Sequence, residues 1–231
     1  MIKKYVLLIL LFIIATTAAF AEKDANRVRQ QKARVFGLTI SYLQTSMYES
    51  APLLSPTTIS HDEYNRFHGI QGGIVLNPEF GAGVGILTGV QYVFIPTYSR
   101  IGKPKEYLKT VVSQHDLAVP FRIQYRYAFT PGFSIFAYTG PLFSVGLMWK
   151  EKSTLVDSVE SETTVHDFYN REDNYEYNRF HAFWGIGAGM IFSRHIRAEV
   201  FADWGINNIT PYSGKFTHLN RPISFAFSYM F

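Results

Sequence analysis

The 231-residue chain has no cysteine, which excludes a disulfide scaffold, a cysteine nucleophile, a thiolate zinc site and a lipoprotein anchor. Charge is scarce too. Asp, Glu, Lys and Arg make up 17% of the residues, against about 25% in an ordinary soluble domain. Neither sign dominates: 22 basic residues face 18 acidic ones, and no basic stripe stands out that would speak for nucleic acid. Beyond residue 21 no apolar run is long enough for a membrane-crossing helix, which takes about 20 residues. Aromatic residues are abundant instead: 20 Phe, 15 Tyr and 3 Trp, or 16% of the chain. That much apolar surface argues against disorder, because it must be covered by something.

The first 21 residues read as a cleaved secretory signal. Lys3 and Lys4 supply the positive start, Val6 to Ile14 is an unbroken apolar run, and Ala19 and Ala21 give a peptidase its small residues. Removing the two lysines leaves 20 basic against 18 acidic residues. Residues 22–33 are polar and basic, a short segment expected on the periplasmic side.

From residue 34 onward the pattern has period two. At the end of the chain Ile223, Phe225, Phe227, Tyr229 and Phe231 alternate with Ser224, Ala226, Ser228 and Met230. Seven more stretches follow the same grammar: 36–43, 68–76, 84–94, 117–127, 133–149 (ambiguous in phase), 180–192 and 196–206. Their charged residues share a face with glycine and serine, while the opposite face is aromatic or β-branched. That is the facing of a transmembrane barrel, polar inside and apolar toward lipid. The connections alternate in length, with long ones at 44–66, 96–110, 150–178 and 207–218 and short ones between. Short turns on one side and long loops on the other are what outer-membrane barrels show. In lipid every backbone group must be paired, so the sheet must close. The expectation is one domain over residues 34–231, an all-β, eight-stranded, antiparallel transmembrane up-and-down barrel in the cell outer membrane.

The polar members of these strands predict a lumenal network of Gln71, Gln91, Arg122, Gln124, Arg126, Arg197, Glu199 and Asp203. Gly185, Gly187 and Gly189 leave space for such long side chains. Arg122 is expected to reach Glu199 or Asp203 across the lumen. An eight-stranded interior is just wide enough to be filled, which predicts a barrel closed to ions.

Three stretches resemble the PorT-like outer-membrane β-barrel family of the Bacteroidota. They are HDLAVPFRIQYRY over residues 115–127, the hairpin GIGAGMIF (185–192) with IRAEVFADWGINNI (196–209), and the closing NRPISFAFSYMF (220–231). Ala202 and Asp203 depart from the Arg-Tyr pair that the family often carries there. The resemblance implies an integral outer-membrane protein, whose members range from secretion-system components to barrels without assigned roles. It also implies that Phe225, Phe227, Tyr229 and Phe231 form the signal read by barrel-assembly machinery.

Catalytic chemistry has weak support. His61-Asp62, His115-Asp116 and His218 are the candidates, but neighbours on a strand face opposite ways, so His115 and Asp116 do not pair directly. No His-x-Ser arrangement accompanies Thr217 and His218. Residues 150–178 carry eight acids (Glu151, Asp157, Glu160, Glu162, Asp167, Glu172, Asp173 and Glu176) against Lys150, Lys152 and Arg171. No glycine sits among Asp167–Glu176 as a calcium loop requires, so a solvated acidic loop is expected. Arg100, Lys103, Lys105 and Lys109 in the second loop are placed to meet lipopolysaccharide phosphates or to balance those acids. The Tyr-rich third loop (Tyr169, Tyr175, Tyr177) suits a protein partner. The reading is a non-enzymatic barrel without cofactor or metal, acting through its outer loops or within an envelope assembly, in contact with outer-membrane lipid. The alternatives are a small-solute channel and a lipid-modifying enzyme.

Overall fold

The computed structural model describes residues 34–52, 59–103, 106–130, 132–156, 161–170, 177–210 and 216–231. The expected signal (1–21) and the segment 22–33 lie outside the described residues. Ten strands follow in chain order: β1 (Phe36–Pro52), β2 (Ile59–Leu76), β3 (Glu79–Gly81), β4 (Val84–Lys103), β5 (Glu106–Thr130), β6 (Phe133–Val156), β7 (Ser161–Asp167), β8 (Phe180–Phe192), β9 (Ile196–Gly205) and β10 (Phe216–Met230). Eight of them pair in the order β2-β1-β10-β9-β8-β6-β5-β4, and a β2–β4 ladder joins the two ends into a ring. β3 and β7 lie off the ring, on β4 and β6. Every ladder is antiparallel.

Following the pairs from Phe36 through Leu76, Thr88, Phe121, Pro141, Trp184, Trp204 and Asn220 leads back to β1 at Ser46, a stagger of ten residues. Closure with such a stagger tilts the strands by about 40° to the axis.

The facing is inverted relative to a soluble sheet. Ile40, Ile123 and Phe227 are 62%, 67% and 62% exposed on the outside, whereas Gln124, Arg197 and Asp203 are 0% exposed within. The structure also fixes the phase of β6: Ser134, Phe136, Tyr138, Leu142 and Ser144 point inward, and Ile135, Phe143 and Val145 outward.

The outer connections differ from the sequence reading. Segments assigned to long loops at 44–66, 96–110 and 150–178 are in large part strand, because β1–β2, β4–β5 and β5–β6–β7 carry their ladders on beyond the alternating stretches. At 207–218, β10 begins at Phe216. Above the apolar band no lipid demands an apolar face, so the alternation fades while the backbone pairing continues. β4, β5, β6 and β7 thus form an antiparallel sheet rising past the rim.

Candidate functional site: the lumen and its outer mouth

β5 sends Arg122, Gln124 and Arg126 inward, β9 sends Arg197, Glu199 and Asp203, and β2 and β4 contribute Gln71 and Gln91. Nearest the turn end, Arg126 Nε and Nη2 donate to the two carboxylate oxygens of Glu79, at 2.5 and 2.8 Å. Glu79 belongs to β3, which folds back on β4 through Ala82 and Gly83, with φ of +50° and +79°. Two successive positive-φ residues make the tight turn that suits a twisted hairpin.

One level up, Arg197 Nε and Nη2 donate to Glu199 Oε2 (3.0 and 2.7 Å), while Nη1 donates to Gln124 Oε1 (2.7 Å). The same guanidinium lies 3.7 Å over the Phe136 ring. Higher still, Arg122 Nη2 donates to Asp203 Oδ1 at 2.5 Å and Nη1 to the carbonyl of Gly140 at 3.3 Å. The Gln71 amide donates to the Gln91 side-chain carbonyl. Of the two acids offered to Arg122, the structure thus gives it Asp203 and leaves Glu199 to Arg197.

The glycines of β8 make this arrangement possible. A Cβ at Gly185 would strike Asp203 Oδ1 and Arg122 Nη1, one at Gly187 the Tyr138 ring, and one at Gly189 the Phe136 ring at 2.5 Å. Two of the side chains they admit are therefore aromatic, where the sequence reading fills the space with charges. Each of these three guanidinium groups, on Arg122, Arg126 and Arg197, has a carboxylate opposite it, the condition under which desolvating both charges is repaid.

A family model described as outer membrane protein beta-barrel domain matches residues 28–210. The chain belongs to that family. The outer membrane is accordingly its location, and the short-turn end is the periplasmic one. Among solved structures, OprG of Pseudomonas aeruginosa is similar at 12% identity (TM-score 0.41; 87% of this chain, 97% of that one). Ail of Yersinia pestis is similar at 10% (TM-score 0.34; 87% and 100%), and Neisserial surface protein A at 8% (TM-score 0.37; 84% and 97%). No curated protein matches the sequence.

The outer mouth of this outer-membrane barrel is built differently. Asp116, His181 and Arg221 are buried together, with His181 Nδ1 3.8 Å from Asp116 Oδ2. Gln114 Nε2 donates to Asp116 at 2.9 Å. The Arg221 guanidinium lies 4.7 Å over the Phe183 ring, with Asp203 and Asp116 as its opposing charges.

Above them sits an aromatic plug. Trp149 stacks on Tyr177 at 4.8 Å, and packs against Phe168 and Tyr169 at 5.2 and 5.9 Å. Tyr169, in the turn after β7, lies against Gly146, where a Cβ would collide with its ring. Arg179 lies 5.0 Å over the same ring. Burial, with the Asp116 carboxylate adding to it, holds the Tyr169 phenol well above the usual range. It stays protonated.

The catalytic candidates disperse. His115 is on the outer wall, bonded to Tyr92, while Asp116 faces inward. His218 lies beside Phe216 at 5.4 Å, and His61 and Asp62 stand on β2 opposite Ser50 and Glu49. Among the described residues no three of His, Asp or Glu converge as metal ligands. Of the acidic segment, Glu151 accepts a bond from Ser153 and Asp167 pairs with Lys150 at 3.7 Å. Asp157, Glu160, Arg171, Glu172, Asp173, Tyr175 and Glu176 lie outside the described residues, as does Lys105.

Sequence reasoning missed Glu79, Asp116, His181 and Arg221 as lumenal partners. By the alternation over 223–231, position 221 faces lipid. The β9–β10 register shifts between Arg221 and Ser224, around Pro222, which has no N–H for a ladder, and the phase flips so that Arg221 turns inward. An arginine beside a proline in an otherwise uncharged lipid-facing row is the signal that could have found it.

Proposed function

We propose that this barrel is a plugged, non-enzymatic member of its family that serves as a docking component of an envelope assembly. The observation that carries this reading is the contrast between a lumen filled by paired side chains and a sheet of four strands, β4–β5–β6–β7, projecting past the rim. On it Leu155 and Val165 are 51% and 60% exposed, apolar surface that lipid does not cover. The resemblance to PorT-like proteins favours an assembly role. Export through a cleaved signal, and recognition of Phe225, Phe227, Tyr229 and Phe231 by the assembly machinery, belong to the same proposal. Those four side chains all face outward, 46%, 62%, 50% and 51% exposed. Against an enzyme, His181 Nε2 donates to the Asn178 carbonyl at 3.2 Å, so backbone holds the ring as it holds a buried structural histidine.

A photo-crosslinking residue at Val165 in the native membrane should give a discrete protein adduct, and one at lipid-facing Ile123 should not. Absence of an adduct at Val165 and Leu155 alike would remove the docking role. In planar bilayers the purified protein should show negligible steady conductance. Porin-like conductance would promote the channel alternative in its place. Deleting Phe231 should lower the folded, inserted fraction and leave export unchanged.

A further inference from the structure

β2 carries three glycines near its middle, and they are not alike. At Gly69 a Cβ would press to 2.7 Å on the Phe94 carbonyl, and at Gly73 to 2.7 Å on Gln91 Cα, so the neighbouring strand forbids a side chain at both. Gly72 faces outward, and a Cβ there would meet nothing closer than the Thr39 carbonyl at 3.5 Å, an ordinary contact. Backbone geometry does not require glycine at this position. Gly72 stands in register between Ile40 of β1 and Tyr92 of β4. Its missing side chain leaves a groove of about 360 Å³ on the lipid face, lined by Ile40, Ile70, Gly72, Tyr92, Phe94 and His115.

The upper end of the groove is polar and fixed. The Tyr92 phenol and His115 Nδ1 share a hydrogen bond, and the Phe94 ring centroid is 4.8 Å from the imidazole. In the tautomer in which Nδ1 accepts from the phenol, Nε2 carries the ring proton and can donate to an outside partner. Tyr42 and His68 repeat the arrangement on β1 and β2, at 2.5 Å. His115 is ten residues up β5 from Tyr125, about 25 Å along the axis at the rise and tilt of such strands, which is the height of a barrel's apolar band. The groove therefore lies in the outer leaflet, and His115 at its headgroup boundary.

Above His115 the same outward face turns basic. Lys150 stands opposite Ser113 and Lys152 opposite Val111, with Lys109 on the same side of β5. Asp167, paired with Lys150 at 3.7 Å, is the one acid on this face of β5, β6 and β7 among the described residues. From mid-leaflet upward the wall thus presents a slot one side chain wide, an imidazole held by Tyr92 and then Lys150 and Lys152 beside the single acid Asp167.

We infer that this face binds a phosphorylated acyl lipid of the outer leaflet, its chain in the Gly72 groove and its phosphate against His115 Nε2 and Lys150. A chain gains no hydrophobic free energy in moving from lipid to the groove, so preference must come from the phosphate. Charge-assisted bonds formed beside the low-dielectric leaflet supply it.

The test uses the full barrel, delipidated in mild detergent and offered lipid A in its bisphosphorylated and dephosphorylated forms, with retained lipid read by native mass spectrometry. The wild type should retain the phosphorylated form at least about tenfold better, the worth of a single charge-assisted bond. Gly72→Leu, which fills the groove, and the His115→Ala/Lys150→Ala pair should each bring the ratio close to one. Folding is checked by gel mobility, and His115→Gln with Lys150→Gln replaces any variant that fails to fold. Equal retention of the two lipids by the wild type would overturn the inference, as would a preference unchanged in both variants. A dimer mass in place of lipid adducts would overturn it in favour of a second copy on this face. None of these outcomes depends on a docking partner at the projecting sheet.

Discussion

From the periplasmic turns up to Asp203 the lumen holds ion pairs: Arg126 with Glu79, Arg197 with Glu199, and Arg122 with Asp203. The mouth above it holds rings, with Trp149, Phe168, Tyr169 and Tyr177 packed over Asp116, His181 and Arg221. The lower part is assembled chiefly from side chains on the wall strands, whose positions follow from alternation and stagger. The upper part draws on a turn that folds back over the barrel. Charge pairs inside a wall are rigid and intolerant, because removing one partner strands a desolvated charge. Ring packing at a mouth opens locally at smaller cost, because its loss exposes apolar surface to water without orphaning an ion.

The sharpest way to break this contrast is Arg122→Ala. It should cost about 3–5 kcal/mol by breaking the hydrogen-bonded pair that Asp203 makes inside the wall, measured as a lowered denaturant midpoint for refolding in detergent; a shift no larger than that of a surface lysine variant would show the pair to be dispensable. Trp149→Ala should cost about 3 kcal/mol, but as local opening. Hydrogen exchange should rise over residues 161–169 and stay slow across β5 and β9. Exchange rising throughout the wall would mean that mouth and lumen unfold as one unit. Glu199→Ala should cost about 2 kcal/mol, less than a stranded charge, because Arg197 keeps its bond to Gln124 and the Phe136 ring, whereas Glu162→Ala, on exposed β7, should leave the midpoint unchanged. Equal tolerance of both would mean the Arg197–Glu199 pair contributes nothing. The smallest effect belongs to Tyr169→Phe. Its buried hydroxyl has no hydrogen-bond partner among the described residues, so the ring alone should hold the plug, with a change under about 0.5 kcal/mol. A large loss would make the phenol a polar keystone of the mouth.

Alternation was enough to place Arg122, Gln124, Arg126, Arg197, Glu199 and Asp203 on one face and the C-terminal aromatics on the other, because period two is a local property of an extended chain and lipid enforces it. The same rule made Arg221 look lipid-facing, since a bulge changes phase without changing composition. Glu79 sat in what read as a turn, and its role needed the fold-back of β3 on β4. Asp116 was visible only as half of a His-Asp dipeptide; its nearest histidine, His181, comes from β8. Tyr169 was assigned to a loop, and only the packing of that loop against Gly146 made it a lid.

The chain by itself therefore determined that its strands close into an outer-membrane barrel and which face of each wall strand is wet, because both follow from residue-by-residue burial against a fixed backbone period. Tertiary structure alone decided the partners. It set which acid meets which arginine, through the ten-residue stagger that brings β5 and β9 into reach. Bulges turned Arg221 inward, and the glycines along β8 admitted rings as well as charges. Those outcomes depend on distances between segments far apart in the chain, which no local pattern encodes.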